Sequence, residues 1–103
     1  MLAISEIELA KGVDAEAFGD FFRDEYLPSV DMRQTRAGRV LEVELLERAS
    51  ETDHALAMLV RWSGPLDRMR VHSGDAAVQE RFEELAPTVG DPVVWREVAE
   101  RVE

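Results

Sequence analysis

The sequence predicts an α+β domain, a four-stranded antiparallel sheet with two helices on one face, in the order β-α-β-β-α-β. Three observations predict it. Two segments alternate apolar and acidic residues, Ala3-Ile-Ser-Glu-Ile-Glu-Leu9 and Arg39–Arg48. Phe18, Phe21, Phe22 and Leu27 recur at helical spacing. A third extended segment, Ala55–Trp62, is apolar on both of its faces. This order is the split βαβ, or ferredoxin-like, pattern, with an expected strand order of 4-1-3-2. The 103 residues form one domain, 1–103.

The first strand puts Ser5, Ile7 and Leu9 on one face and Glu6 and Glu8 on the other. Lys11-Gly12 ends it, and Asp14 is the N-cap type for the helix that follows. In that helix Ala17, Phe18, Phe21, Phe22 and Leu27 make the apolar stripe, Asp20, Asp24 and Glu25 the solvated side, and Pro28 the stop. Residues 29–38 read as a connection. The second strand sets Leu41, Val43 and Leu45 against Glu42 and Glu44. The polar turn Ala49–His54 makes a hairpin with the third strand. A strand that is apolar on both faces belongs at the centre of a sheet.

Ser63-Gly64-Pro65 then opens a second helix, with Leu66, Met69 and His72 on one face. Ser73-Gly74-Asp75 interrupts it, and Asp75 caps a continuation carrying Val78, Phe82 and Leu85. Pro87, Gly90 and Pro92 lead to a last strand, Val93–Val102. Two helices cover one face of four strands, so the apolar part of the other face is left bare. Pairing with a second copy through the sheet faces is the expected cover. Glu6, Glu8, Glu42 and Glu44 lie on that side, with Arg39, Arg61 and Arg96 as the available counter-charges.

Composition narrows the function classes. There are 22 acidic and 12 basic residues, a formal charge of −10. That excess disfavours nucleic-acid binding and adhesion to anionic lipid, both of which draw on clustered cations. The absence of cysteine excludes disulfide frameworks, thiolate metal sites and a Cys nucleophile. The longest apolar run, Ala55–Val60, is about a third of a membrane span. Met1-Leu-Ala-Ile-Ser5-Glu6 has no basic n-region, so no signal peptide is read there and a cytoplasmic protein is expected. Alternating glutamates mark a solvated or interfacial face, so no metal site is expected, and no cofactor motif is present.

The run Leu59-Val-Arg-Trp62-Ser63, followed by Leu66, His72 and Phe82, resembles the dimeric α+β barrel superfamily, and within it the antibiotic biosynthesis monooxygenase-like group. The resemblance covers nearly the whole chain as element order. It implies a homodimer that binds a small apolar or aromatic molecule between helices and sheet, as a cofactor-free monooxygenase acting on an aromatic substrate. The alternative is a non-catalytic ligand-binding or assembly module of the same fold. Haem-degrading members of the group use an Asn on the first strand together with a Trp and a His. This chain contains no Asn, and that region offers Ser5 or Glu6. Haem is therefore not expected as a cofactor. The resemblance makes His72 the candidate proton-transfer residue, histidine being the side chain that ionises near neutrality. Trp62, Tyr26, Phe22 and Ser5 are the candidate substrate-binding residues. His72 and Trp62 are expected to face one cavity across the cleft. The bland readings are a helix-end histidine touching solvent and a core tryptophan plugging the cleft.

Overall fold

A computed structural model describes residues 1–49 and 54–95. It is a mixed α+β domain with an open antiparallel sheet. Strand β1 (Leu2–Glu8) is followed by helix α1 (Ala15–Phe21), which continues through a wide π turn (Phe22–Tyr26) and a closing turn (Leu27–Ser29). Strands β2 (Val40–Ala49) and β3 (His54–Trp62) come next, then helix α2 (Ala76–Leu85) and two short strands, β4 (Thr88–Val89) and β5 (Val93–Val94). The sheet runs β2-β3-β1-β4, with β5 also pairing β1. Residues 50–53 of the expected turn and most of the expected last strand, from residue 96 onward, lie outside the described residues.

Period-two alternation on β1 and β3 has the expected consequence. Ala3, Ser5 and Ile7 are buried toward the helices, opposite Val60, Met58 and Leu56 respectively. Their odd-even neighbours Leu2, Ile4 and Glu6 face the other way, opposite Arg61, Leu59 and Ala57. The third strand is thus central, and Leu59 points away from the helices. On β2 the expected stripe is corrected at its start. A bulge between Val40 and Glu42 slips the register by one residue. Val40 is buried and Leu41 is left exposed, while Val43 and Leu45 keep their expected side. An extra residue on one strand of a pair turns every later side chain over.

The first helical run buries Phe18, Phe21, Phe22 and Tyr26. Ala17 is exposed, and Pro28 sits inside the closing turn, which ends at Ser29. Proline has no backbone N–H to continue the run, which ends one residue later. Asp14 stands at the N-cap of α1 without a side-chain cap bond, whereas Asp75 caps α2 by accepting from the N–H groups of Ala77 (3.0 Å) and Val78 (3.3 Å).

The larger correction concerns the segment after β3. The helix expected from Pro65 to His72 is a single 3-10 turn, Leu66–Arg68, followed by extended chain. Ser63 does not cap it; its hydroxyl accepts instead from the Arg39 N–H at 2.7 Å. Extended chain is held by backbone bonds to the end of the first helical run: Asp31 N–H to His72 O (2.9 Å) and Gly74 N–H to Ser29 O (2.6 Å), around a bridge between Val30 and Ser73. The Ser29 and Ser73 hydroxyls are 2.6 Å apart across it. Val71, His72, Ser73 and Gly74 are weak helix formers, so this pairing outweighs a further helical turn.

Candidate functional site

The five residues singled out in the sequence fall into two environments. Phe22, Tyr26 and Trp62 belong to the buried core, with Phe18 and Phe82. Tyr26 stacks on Phe82 (ring centroids 4.4 Å apart, 25° between planes) and lies 5.0 Å from the Phe22 ring. Ser5 is buried on the same side of the sheet, opposite Met58. Burial disfavours the charged form and pushes the Tyr26 phenol up to about 12.

Trp62 is held from several directions. Its indole N–H donates to the Pro65 carbonyl at 3.0 Å. Its backbone N–H donates to Met1 O (2.8 Å), and the chain's amino terminus donates back to Trp62 O (2.9 Å). Gly38, with φ +142°, lies so close that a Cβ there would come within 2.8 Å of the Trp62 ring. The ring is a plug at one end of the core, covered by backbone.

His72 is not in this core. Its side chain is 53% exposed and its Nε2 lies 3.5 Å from Asp31 Oδ2. Asp31 belongs chiefly to Arg33, which donates from its backbone N–H (3.0 Å), Nε (3.0 Å) and Nη2 (2.9 Å). Those bonds, with a smaller contribution from His72, hold the Asp31 carboxyl well below the usual carboxylate range. A depressed carboxylate stabilises the fold above its unfolded-state pKa, and loses that contribution only as pH falls through the lower folded value. The clasp is therefore fully formed at neutral pH. His72→Ala is expected to change stability by less than about 1 kcal/mol, because Asp31 keeps Arg33 and the His72 side chain is half exposed at a long 3.5 Å contact. A urea titration of the variant beside the parent chain reads this directly.

The described cavities lie elsewhere. The main one is open, about 1100 Å³, at the end of the sheet where β1 stops and β3 begins. Leu56 and Trp62 are six residues apart on β3, so this end is roughly 20 Å from the Trp62 plug. Ile7, Leu9, Val13 and Leu56 give it an apolar lining. Ile7 and Leu56 are core residues, and Leu9 and Val13 pack against that core. Gly12, at φ +85°, allows the tight turn between β1 and α1, with Val13 N–H bonded back to Ala10 O at 3.1 Å. Glu6, Glu8, Asp14, Glu16 and Glu47 line the same cavity. A smaller cavity of about 530 Å³ lies by Leu66, Met69 and Pro92. His72, Trp62, Tyr26, Phe22 and Ser5 line neither. Val13, an apolar residue between a turn glycine and a helix cap, is the sequence signal that points to the larger cavity.

Among the described residues no group of three or more His, Asp or Glu side chains is placed to hold a metal ion, and no helix is long and apolar enough to cross a membrane. The chain matches no protein-family model, no curated protein and no solved structure.

Proposed function

We propose that this chain is a non-catalytic ligand-binding module of ferredoxin-like topology, paired through its open sheet face into a dimeric α+β barrel. The observation that carries the ligand-binding part is the open cavity at the Ile7–Leu56 end, where Ile7, Leu9, Val13 and Leu56 put apolar surface beside acidic residues. Oxygenase chemistry is the less favoured reading. It needs His72 and Trp62 on one substrate, and what favours the simpler role is a histidine paired outward to Asp31 and a tryptophan covered by Gly38. The test uses N-phenylnaphthylamine, an uncharged apolar dye that brightens in apolar surroundings. It is expected to bind the parent chain, to lose binding in Val13→Arg, and to bind His72→Ala unchanged. A dye that stays dark with the parent chain refutes the module.

The partner proposed for the sheet is a second copy, on the pattern of its outer face. Leu59 lies at the middle, between Glu44 of β2 and Ile4 of β1, and Arg61 lies one row along, between Glu42 and Leu2. Arg61 is 3.5 Å from Glu42, both of them exposed. Crossing two such sheets at near right angles about a twofold through Leu59 sets most of the face against unlike groups, with Glu6 and Glu42, the latter beside its own Arg61, meeting their own copies. Arg61 of each copy then meets Glu44 of the other, Ile4 meets Ala57, and Leu2 meets Leu46. Sedimentation at micromolar concentration is expected to give twice the 11.6 kDa chain mass. Leu59→Arg, on a residue outside the helix-facing core, is expected to give a folded monomer or an aggregate, since the arginine would otherwise be buried unpaired. A parent chain that sediments as a monomer refutes the pairing.

A further inference from the structure

We propose that Arg70–Gly74 is a strap that opens as one unit, with the Ser29–Ser73 hydroxyl pair as its latch. The chain is fixed firmly before the strap begins. Gly64 lies so close to Ala37 that a Cβ there would overlap the Ala37 carbonyl, and the Pro65 carbonyl accepts from the Trp62 indole. Beyond the turn at Leu66–Arg68 the hold is slight. Val71 is half-buried against the core and Ser73 is buried, while Arg70, His72 and Gly74 are exposed. Among the described residues, the backbone of the strap bonds elsewhere only to Ser29, Asp31 and the Gln79 side chain.

Proton counting orders the latch. The Ser29 hydroxyl has one proton, and the carbonyls of Glu25 and Tyr26 each lie 2.9 Å from its oxygen. Ser29 donates there, so Ser73 is the donor across the 2.6 Å between the two hydroxyls. Ser73 Oγ in turn accepts from the Asp75 N–H at 3.0 Å, and Asp75 caps α2. One chain of bonds thus joins the first turn of α2 to the last turn of the first helical run, each bond polarising the next. Breaking it in place would leave a buried Ser73 hydroxyl without a partner, which costs more than moving the strap into water. The latch is therefore closed or open, with little between. Opening lifts Val71 off the core and loosens the Asp75 cap.

Native-state hydrogen exchange tests this. The N–H groups of Asp31 and Gly74 make the two backbone bonds of the strap, to His72 O and Ser29 O. In the parent chain they are expected to exchange at a common rate, about tenfold or more faster than amides in the middle of β3, and with a weaker dependence on urea because little surface is bared. Ser73→Ala and Ser29→Ala are each expected to speed both amides about tenfold further, and those of Ala77 and Val78 with them, leaving β3 unchanged. The double variant is expected to show less than the product of the two single effects, since the singles break the same link. Exchange of Asp31 and Gly74 only in step with β3, at the same urea dependence, overturns the strap. Serine variants that speed β3 equally, or a double variant that reaches the full product, overturn the latch. The parent-chain measurement decides the strap even where a variant does not fold.

Discussion

Phe82→Ala is expected to lower the unfolding free energy by about 3–5 kcal/mol, the usual cost of removing a fully buried phenylalanine. Phe82 is the buried residue of α2. Its ring stacks on Tyr26 and lies 5.8 Å from Phe18 and 6.4 Å from Phe22, so it joins the two helical runs over the sheet. Alanine leaves a void bounded by three aromatic rings, and planar rings close a void poorly because their shape is fixed. A small domain has a total stability of about 5–15 kcal/mol, so the variant should melt far below the parent chain. Urea unfolding followed by circular dichroism gives the size of the loss. Hydrogen exchange gives its place: amides of Ala76–Leu85 should exchange much faster, since other residues of α2 are at most half-buried. A loss under about 1 kcal/mol would mean that the helix is held by something other than this ring.

The second large effect is alkaline. The chain has one tyrosine, so tyrosinate absorbance reports Tyr26 alone. Burial pushes its phenol up to about 12, above the ordinary value of 10. The direction of the effect follows. Below the ordinary value both folded and unfolded states are protonated, and stability does not depend on this group. Between that value and about 12 the unfolded chain releases the proton while the folded one retains it, so stability falls as pH rises. A shift of this size removes about 2–3 kcal/mol across that window. Ionisation should therefore coincide with unfolding and be late relative to a free tyrosine. Tyr26→Phe keeps the ring and removes the proton, and its stability should be flat where the parent chain's declines. Ionisation at the ordinary value, with the fold intact, would show that the hydroxyl reaches bulk water.

How much was legible in the sequence differs by element. Strand β1 is readable because its alternation is unbroken, with Ser5 and Ile7 buried and Glu6 and Glu8 exposed as the spacing requires, and β3 because it is apolar on both faces. Helix α1 was readable from its phenylalanines, and the cap of α2 from Asp75. The candidate site was less legible. The local pattern predicts His72 on a helix facing the sheet, and carries no sign that Ser29, Val30 and Asp31 pair with that segment and hold it extended. Trp62 was placed correctly at the end of β3, but its close cover by Gly38 comes from a residue 24 positions earlier in the chain.

The sequence by itself determined the periods: which residues alternate on strands, which repeat along helices, and that β3 is apolar on both faces. These are local properties, set by backbone geometry and by which side chains avoid water. Only the tertiary structure decided the slip at Val40–Glu42, the extended path through His72, and which end of the domain is open. Each depends on contacts between residues far apart in the chain. Backbone hydrogen bonds from Asp31 and Gly74, and aromatic packing around Phe82, outweigh differences of a few tenths of a kcal/mol per residue in local preference. The same packing fills the space beneath the helices with Phe18, Phe22, Tyr26 and Phe82, and leaves the cavity at the Ile7–Leu56 end.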